Sequence, residues 1–282
     1  MLEKRKRKKV KSYSKINLGL KVTGKRDDGF HEIVTLFHAI NLCDEITFEI
    51  TEEEGISLDS DSTDIPLDES NLCWKAAKMF LKHFKIKVGV KIYLKKNIPV
   101  SAGLGGGSGN AAATLLCLAE LLKIKKNKLY PLALKLGSDV PFFLSGYGTA
   151  VGNGRGELVT EVDEIHKYLF LLINPGIEIS ASWAYLHMDR FSEDDPEEME
   201  NDLESGVIIK YPIIKILKEE LKRKGARESL MSGSGSTVFG IFRTEEALDK
   251  AEKYFKYRYK NFFIVKAKSY FPFKRPTVLL NP

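Results

Sequence analysis

The chain has 282 residues, 43% of them hydrophobic and 29% charged, which suits one or two globular domains and excludes a disordered chain. Its longest apolar runs, such as "YLFLLI" at 168–173, fall far short of the about 20 residues a membrane-spanning helix needs. The net charge of +6 resides in six consecutive cations, Lys4 to Lys9, so the body of the chain has no net charge and no basic stripe for nucleic acid.

Residues 1–11 therefore read as a basic, solvated tail, and no specific nucleic-acid partner or membrane contact is expected. The N-terminus lacks the apolar stretch of a signal peptide. Cys43, Cys73 and Cys117 form an odd set without a C-x-x-C pair, which predicts core residues in a reducing, cytoplasmic setting.

In chain order, "VKSYSKINLGLKV" (10–22) alternates as a strand, and "RDDGFHE" (26–32) is a turn. "IVTLFHAINL" and "DEITFEIT" (44–51) read as two further strands, the second half-exposed. "EEEGISLDSDSTDIPLDES" (52–70) is predicted as an exposed hairpin or loop. "SNLCWKAAKMFLKHF" (70–84) has capping residues and helical spacing, "KVGVKIYLKK" (87–96) is a strand, and "NAAATLLCLAELLK" (110–123) is a second helix. "NKLYPLALKLG" (127–137) predicts a third helix ending at Gly137. Beyond it come a buried strand at 168–176, a helix starting in "ISASWAYLHM" (179–188) and an acidic exposed segment at 192–205. An amphipathic helix at 211–225, a glycine-serine turn running into a strand at 228–242, a helix at 244–258 and a closing strand at 261–270 complete the chain. The class is α+β. The division falls near 150–165, giving a first domain over 12–162 and a second over 163–282.

Between the strand at 87–96 and the helix at 110–123 lies "IPVSAGLGGGSG", dense in glycine. A strand, a glycine turn and a helix in that order make an anion site. The first N–H groups of a helix lack internal partners, its dipole is positive there, and glycines let the loop backbone approach an anion. The Walker pattern fails for want of a lysine, and G-x-G-x-x-G fails at Ser108 and Asn110. A flexible linker or a glycine-packed crossing is the alternative.

"P-x-x-A-G-L-G-G-G-S" at 99–108 resembles the phosphate loop of the GHMP kinases. "YSKINLGL" (13–20), "DDGFHEI" (27–33), "LGSDVPFFL" (136–144), "NDLE" (201–204) and "LMSGSGSTVFGIF" (230–242) follow in family order, and the resemblance spans Ser12 to about Phe242. It implies an N-terminal domain like ribosomal protein S5 domain 2 and a ferredoxin-like C-terminal domain. It also implies ATP-dependent phosphorylation of a small alcohol, here in the branch of the family whose substrate carries a cytidyl diphosphate. ATP would lie along Pro99, Val100, Ser101, Ala102, Gly103, Leu104, Gly105, Gly106, Gly107, Ser108 and Gly109. Mg²⁺ would accompany it with ligands unassigned, and a monomer or weak homodimer is expected.

Read alone, Asp139 is a turn or cap aspartate and Lys15 an edge-strand lysine. The resemblance implies instead that Asp139 is the general base and that Lys15 holds its carboxylate ionised. It places Phe30 and His31 in a cytidine pocket, with Asn17 and Tyr185 at the substrate. The chain departs from the family pattern twice, with Gly109 where a second serine is usual and Phe30 where a tyrosine is usual. A mevalonate- or homoserine-type kinase, or a non-catalytic RNA-binding protein using the basic tail, are the rival readings.

Overall fold

The computed structural model describes residues 6–162, 166–188, 191 and 199–271. Two very long strands, β1 (Arg7–Lys25) and β2 (His31–Thr51), form an antiparallel hairpin around the 26–30 turn. β2 runs unbroken through both segments that alternation divides in two. The hairpin carries a first sheet with β3 (Gly55–Ser60), β4 (Gly89–Lys95), β5 (Thr149–Asn153) and β6 (Leu158–Glu161), in the order β3-β4-β2-β5-β6 with β1 on β2. Four helices accompany it: α1 (Leu72–Phe84), α2 (Gly106–Leu121), α3 (Tyr130–Leu136) and α4 (Val140–Ser145). Asn71 caps α1 by accepting from Cys73 N at 2.8 Å. The core beneath them includes Phe48, Phe80, Leu115 and Leu118, all inaccessible to solvent.

Two expectations need correction. The stretch 52–70, expected as an exposed hairpin or loop, contains β3, which pairs in parallel with β4 across the α1 crossover. Its Ile56 and Leu58 alternate with polar residues and pack on the core. The solvated tail over 1–11 is already strand from Arg7. Val10 packs on the core, Lys9 pairs with Glu45 of β2 at 2.7 Å and Lys8 with Glu120 of α2, so acids on a neighbouring strand and helix pair with cations that composition alone leaves unpartnered. Residues 1–5 lie outside the described residues.

The second sheet comprises β7 (Leu169–Asn174), β8 (Glu228–Met231), β9 (Val238–Phe242) and β10 (Phe263–Lys268), antiparallel in the order β10-β7-β9-β8. This is the ferredoxin-like order, with α7 (Ile213–Arg223) and α8 (Glu245–Arg258) in the connections. The short helices α5 (Ala181–Leu186) and α6 (Glu204–Lys210) precede α7. Most of the acidic segment at 192–205 lies outside the described residues.

The two halves share β1. Its Leu20 and Val22 pack in the core of the second sheet, and Leu20 N donates to Glu200 O at 2.8 Å. At the other end of the interface, Tyr270 N donates to Ala39 O at 2.9 Å. Among the described residues, no helix is long and apolar enough to cross a membrane.

Candidate active site

The glycine loop, 96–105, joins β4 to α2. Ser101, Gly103 and Gly105 have φ of +52°, +73° and +66°, and Gly105 is the N-cap of α2. The first intrahelical bond runs from Gly109 N to Gly105 O at 2.8 Å. The N–H groups of Gly106, Gly107 and Ser108 precede it, so they have no partner within the helix and are positioned for an anion.

Three segments distant in sequence fix the loop. Gly103 O accepts from Lys15 Nζ at 3.2 Å and from Ser232 Oγ at 2.9 Å; Lys15 N donates to Leu104 O and Thr237 N to Ala102 O. The approach at Gly103 is so close that a Cβ there would lie 2.1 Å from Ser232 O. Asn201 Nδ2 holds the 232–236 turn through Met231 O and Gly233 O at 2.9 and 2.8 Å. The "NDLE" and "SGSGS" motifs thus support the loop from the second half of the chain.

Lys15 and Asn17 lie two apart on β1 and face the same side. Register shifts between Tyr13 and Ser14 and between Asn17 and Gly19 bracket them, and such bulges re-aim side chains beside functional sites. Lys15 is 4% exposed, and its ammonium meets three oxygens: Asn17 Oδ1 at 2.7 Å, Gly103 O at 3.2 Å and Asp139 Oδ2 at 3.3 Å. Asp139 precedes α4 but makes no side-chain cap bond, so the cap reading fails and its carboxylate remains available to Lys15. Asn17 is held in turn by Thr35 Oγ1 at 2.7 Å.

These residues face a cavity of about 680 Å³, which the predicted aromatic residues also line. His31 opens β2 and stacks on Tyr185 with centroids 5.0 Å apart and planes 14° apart. Burial, and then the charge of Lys25, push the His31 pKa below the usual histidine value, leaving a neutral ring at pH 7. Burial, and then the Asp139 carboxylate, push Tyr185 up, keeping its hydroxyl protonated. Phe30, on the hairpin turn, is 51% exposed.

On the other side of the loop is a second hollow of about 350 Å³, lined by the loop from Pro99 to Ser108 and by Asn71, Lys96 and Asn110. Gly103 and Gly105 line both spaces.

Signatures of the GHMP kinases N terminal domain and the GHMP kinases C terminal domain match residues 71–147 and 184–261. The 4-diphosphocytidyl-2-C-methyl-D-erythritol kinase of Chlorobium phaeobacteroides is 39% identical over 88% of this chain and 93% of its own length. That of Syntrophomonas wolfei is 39% identical over 91% and 96%. The chain belongs to the 4-diphosphocytidyl-2-C-methyl-D-erythritol kinase family of GHMP kinases. A crystal structure of 4-(cytidine 5'-diphospho)-2C-methyl-D-erythritol kinase superposes with a TM-score of 0.80 at 30% identity, covering 92% of this chain and 99% of that one. A homoserine kinase from Cytophaga hutchinsonii, at 18% identity and a TM-score of 0.66, shares the fold.

Within this GHMP kinase fold, Lys15, Asn17, Phe30, His31, Asp139 and Tyr185 come together at one cavity. Gly109 is the exception among the predicted ATP contacts. Its N–H is committed to Gly105 O, and a Cβ there would lie 2.7 Å from Tyr13 O, so it serves the packing of α2 on β1. The side chains of Ala102 and Leu104 are buried in the core, leaving only backbone for a nucleotide.

Sequence reasoning missed Asp44. It is inaccessible to solvent and accepts from Lys96 Nζ at 2.5 Å, Asn97 N at 2.7 Å, Ile98 N at 2.9 Å and Asn110 Nδ2 at 3.0 Å. One carboxylate thus ties β2 to both ends of the loop. The polar run "KKN" at 95–97, separated from the loop proline by Ile98, was the available signal.

Proposed function

We infer that this chain transfers the γ-phosphoryl group of ATP to the 2-hydroxyl of 4-diphosphocytidyl-2-C-methyl-D-erythritol. The products are ADP and the 2-phosphate, in the non-mevalonate route to isoprenoid precursors. The observation that carries the reading is the loop wall at Gly103 and Gly105, shared by the hollow suited to nucleotide and the cavity containing Lys15 and Asp139.

Phosphoryl transfer needs positioning and charge stabilisation more than covalent chemistry. Backbone N–H groups at the start of α2 and the hydroxyl of Ser108 take up the ATP phosphates. Asp139 accepts the proton of the acceptor hydroxyl. Lys15 engages Oδ2, leaving Oδ1 for the hydroxyl. Asn17 orients Lys15, whose three donors are all directed to oxygens. Phe30, His31 and Tyr185 receive the cytosine by stacking and edge hydrogen bonds.

Mg²⁺ bound with ATP would neutralise charge on the phosphates during transfer. The three unpaired cysteines suit a cytoplasmic enzyme; burial pushes the Cys73 and Cys117 thiols up to about 12 and keeps them unreactive.

The test is incubation of the pure protein with ATP, Mg²⁺ and the cytidyl substrate, following ADP and the new phosphomonoester. Turnover with competition by CDP is expected. Turnover of mevalonate or homoserine in its place would overturn the assignment.

A further inference from the structure

The cavity contains a cation to which nothing above assigns a role. Arg155 lies on the tight turn between β5 and β6, where Gly154 and Gly156 have φ of +73° and +102°. The turn is tied to the start of β2, with Ile33 N donating to Gly154 O at 2.7 Å. Glu157 holds the arginine at both ends. One carboxylate oxygen accepts from Arg155 N at 2.6 Å, and the other lies 3.5 Å from Nε. The guanidinium is laid over the Phe30 ring, 4.7 Å from its centroid.

This arrangement leaves two things open. One face of the Phe30 ring is covered by the arginine, so a base stacks on the other. A separation of 3.5 Å to Glu157 is an ion pair rather than a hydrogen bond. Among the described residues, no hydrogen bond engages the terminal amino groups of Arg155. A planar guanidinium with free donors matches two oxygens of a phosphate, and ordering on an aromatic ring lowers the entropy lost on pairing. Phe30 has no hydroxyl, so the ring itself offers no polar contact at this corner. Lys25, paired in register with His31, adds a second cation to the same cavity.

We propose that Arg155, fixed on Phe30 by Glu157, is a specificity-determining residue that pairs with the diphosphate of the nucleotide-linked substrate. The cavity thereby distinguishes a cytidine diphosphate from cytidine. The proposal rests on the cytidyl-diphosphate reading of this cavity and adds the group that reads the phosphates.

The experiment titrates CDP and cytidine into the full chain and into Arg155→Gln and Arg155→Lys, and measures kcat and KM for the cytidyl substrate. Binding of CDP and cytidine needs no turnover, so Arg155 is tested even where the kinase assignment fails. Arg155→Gln is expected to weaken CDP by 10- to 100-fold and cytidine by less than threefold. KM should rise with CDP dissociation while kcat stays within about twofold. Arg155→Lys should restore part of the CDP affinity, since charge returns without the fork. Equal losses for CDP and cytidine would show that Arg155 only props Phe30 and would overturn the proposal. Unchanged CDP affinity in Arg155→Gln would overturn it too.

Discussion

At the scale of single residues, the decisive arrangement is one ammonium meeting three oxygens, one of them from the Asp139 carboxylate. If Asp139 takes the hydroxyl proton, Asp139→Asn keeps the shape and removes the base. Steady-state kinetics should then show kcat lowered roughly 10²–10⁴-fold with the KM values for ATP and substrate nearly unchanged. Near-native turnover would remove Asp139 from the mechanism. Lys15 and Asp139 each read as an ordinary surface or turn residue when taken alone, because they meet only once β1 and the start of α4 come together. The family resemblance pointed to both, and local pattern pointed to neither. Asp44 was invisible for the opposite reason. An acid in an alternating strand reads as solvent-facing, and nothing local reveals that four donors converge on it.

At the scale of elements, the glycines of the loop divide by what lies against them. Gly103 faces the 232–236 turn and lines both hollows, whereas Gly109 faces the Tyr13 carbonyl inside the fold. Gly109→Ser should therefore lower the melting temperature, at a cost of about 1–3 kcal/mol for overpacking, with ATP affinity nearly intact. Gly103→Ala should weaken ATP binding as well, since it forces the loop from the turn that supports it. Reversed outcomes in thermal melts and nucleotide titrations would contradict this division. The loop, α1, α2, α7 and α8 were legible because glycine clusters, caps and helical spacing are local signals. β5 and β6 went unread. Their stretch, "TAVGNGRGELVTE", is too rich in glycine to alternate clearly, and only the pairing with β2 makes β5 a strand. β3 was lost the same way, being a short polar strand stabilised by its neighbour.

At the scale of the whole molecule, His38 marks the seam between the two halves. It is buried on β2, with Nδ1 2.9 Å from Thr149 Oγ1 and Nε2 2.8 Å from Ser269 Oγ beyond β10. Burial, and then nearby His166, push its pKa down to about 4. An unfolded histidine titrates near 6.5, so between those values the unfolded chain binds the extra proton and stability falls as pH falls. The loss should reach about 3 kcal/mol by pH 4, and His38→Gln should flatten that part of a denaturation-against-pH curve. An unchanged slope in the variant would place the acid sensitivity elsewhere. The partners of Gly103 carry a consequence for biosynthesis. Its carbonyl is held by Lys15, made early, and by Ser232, made in the last quarter of the chain. Domains otherwise fold as they emerge from the ribosome. The bond from Ser232 to this loop can form only after Ser232 has been added, so a growing chain that already displays the first sheet still has the Gly103 carbonyl held from one side alone.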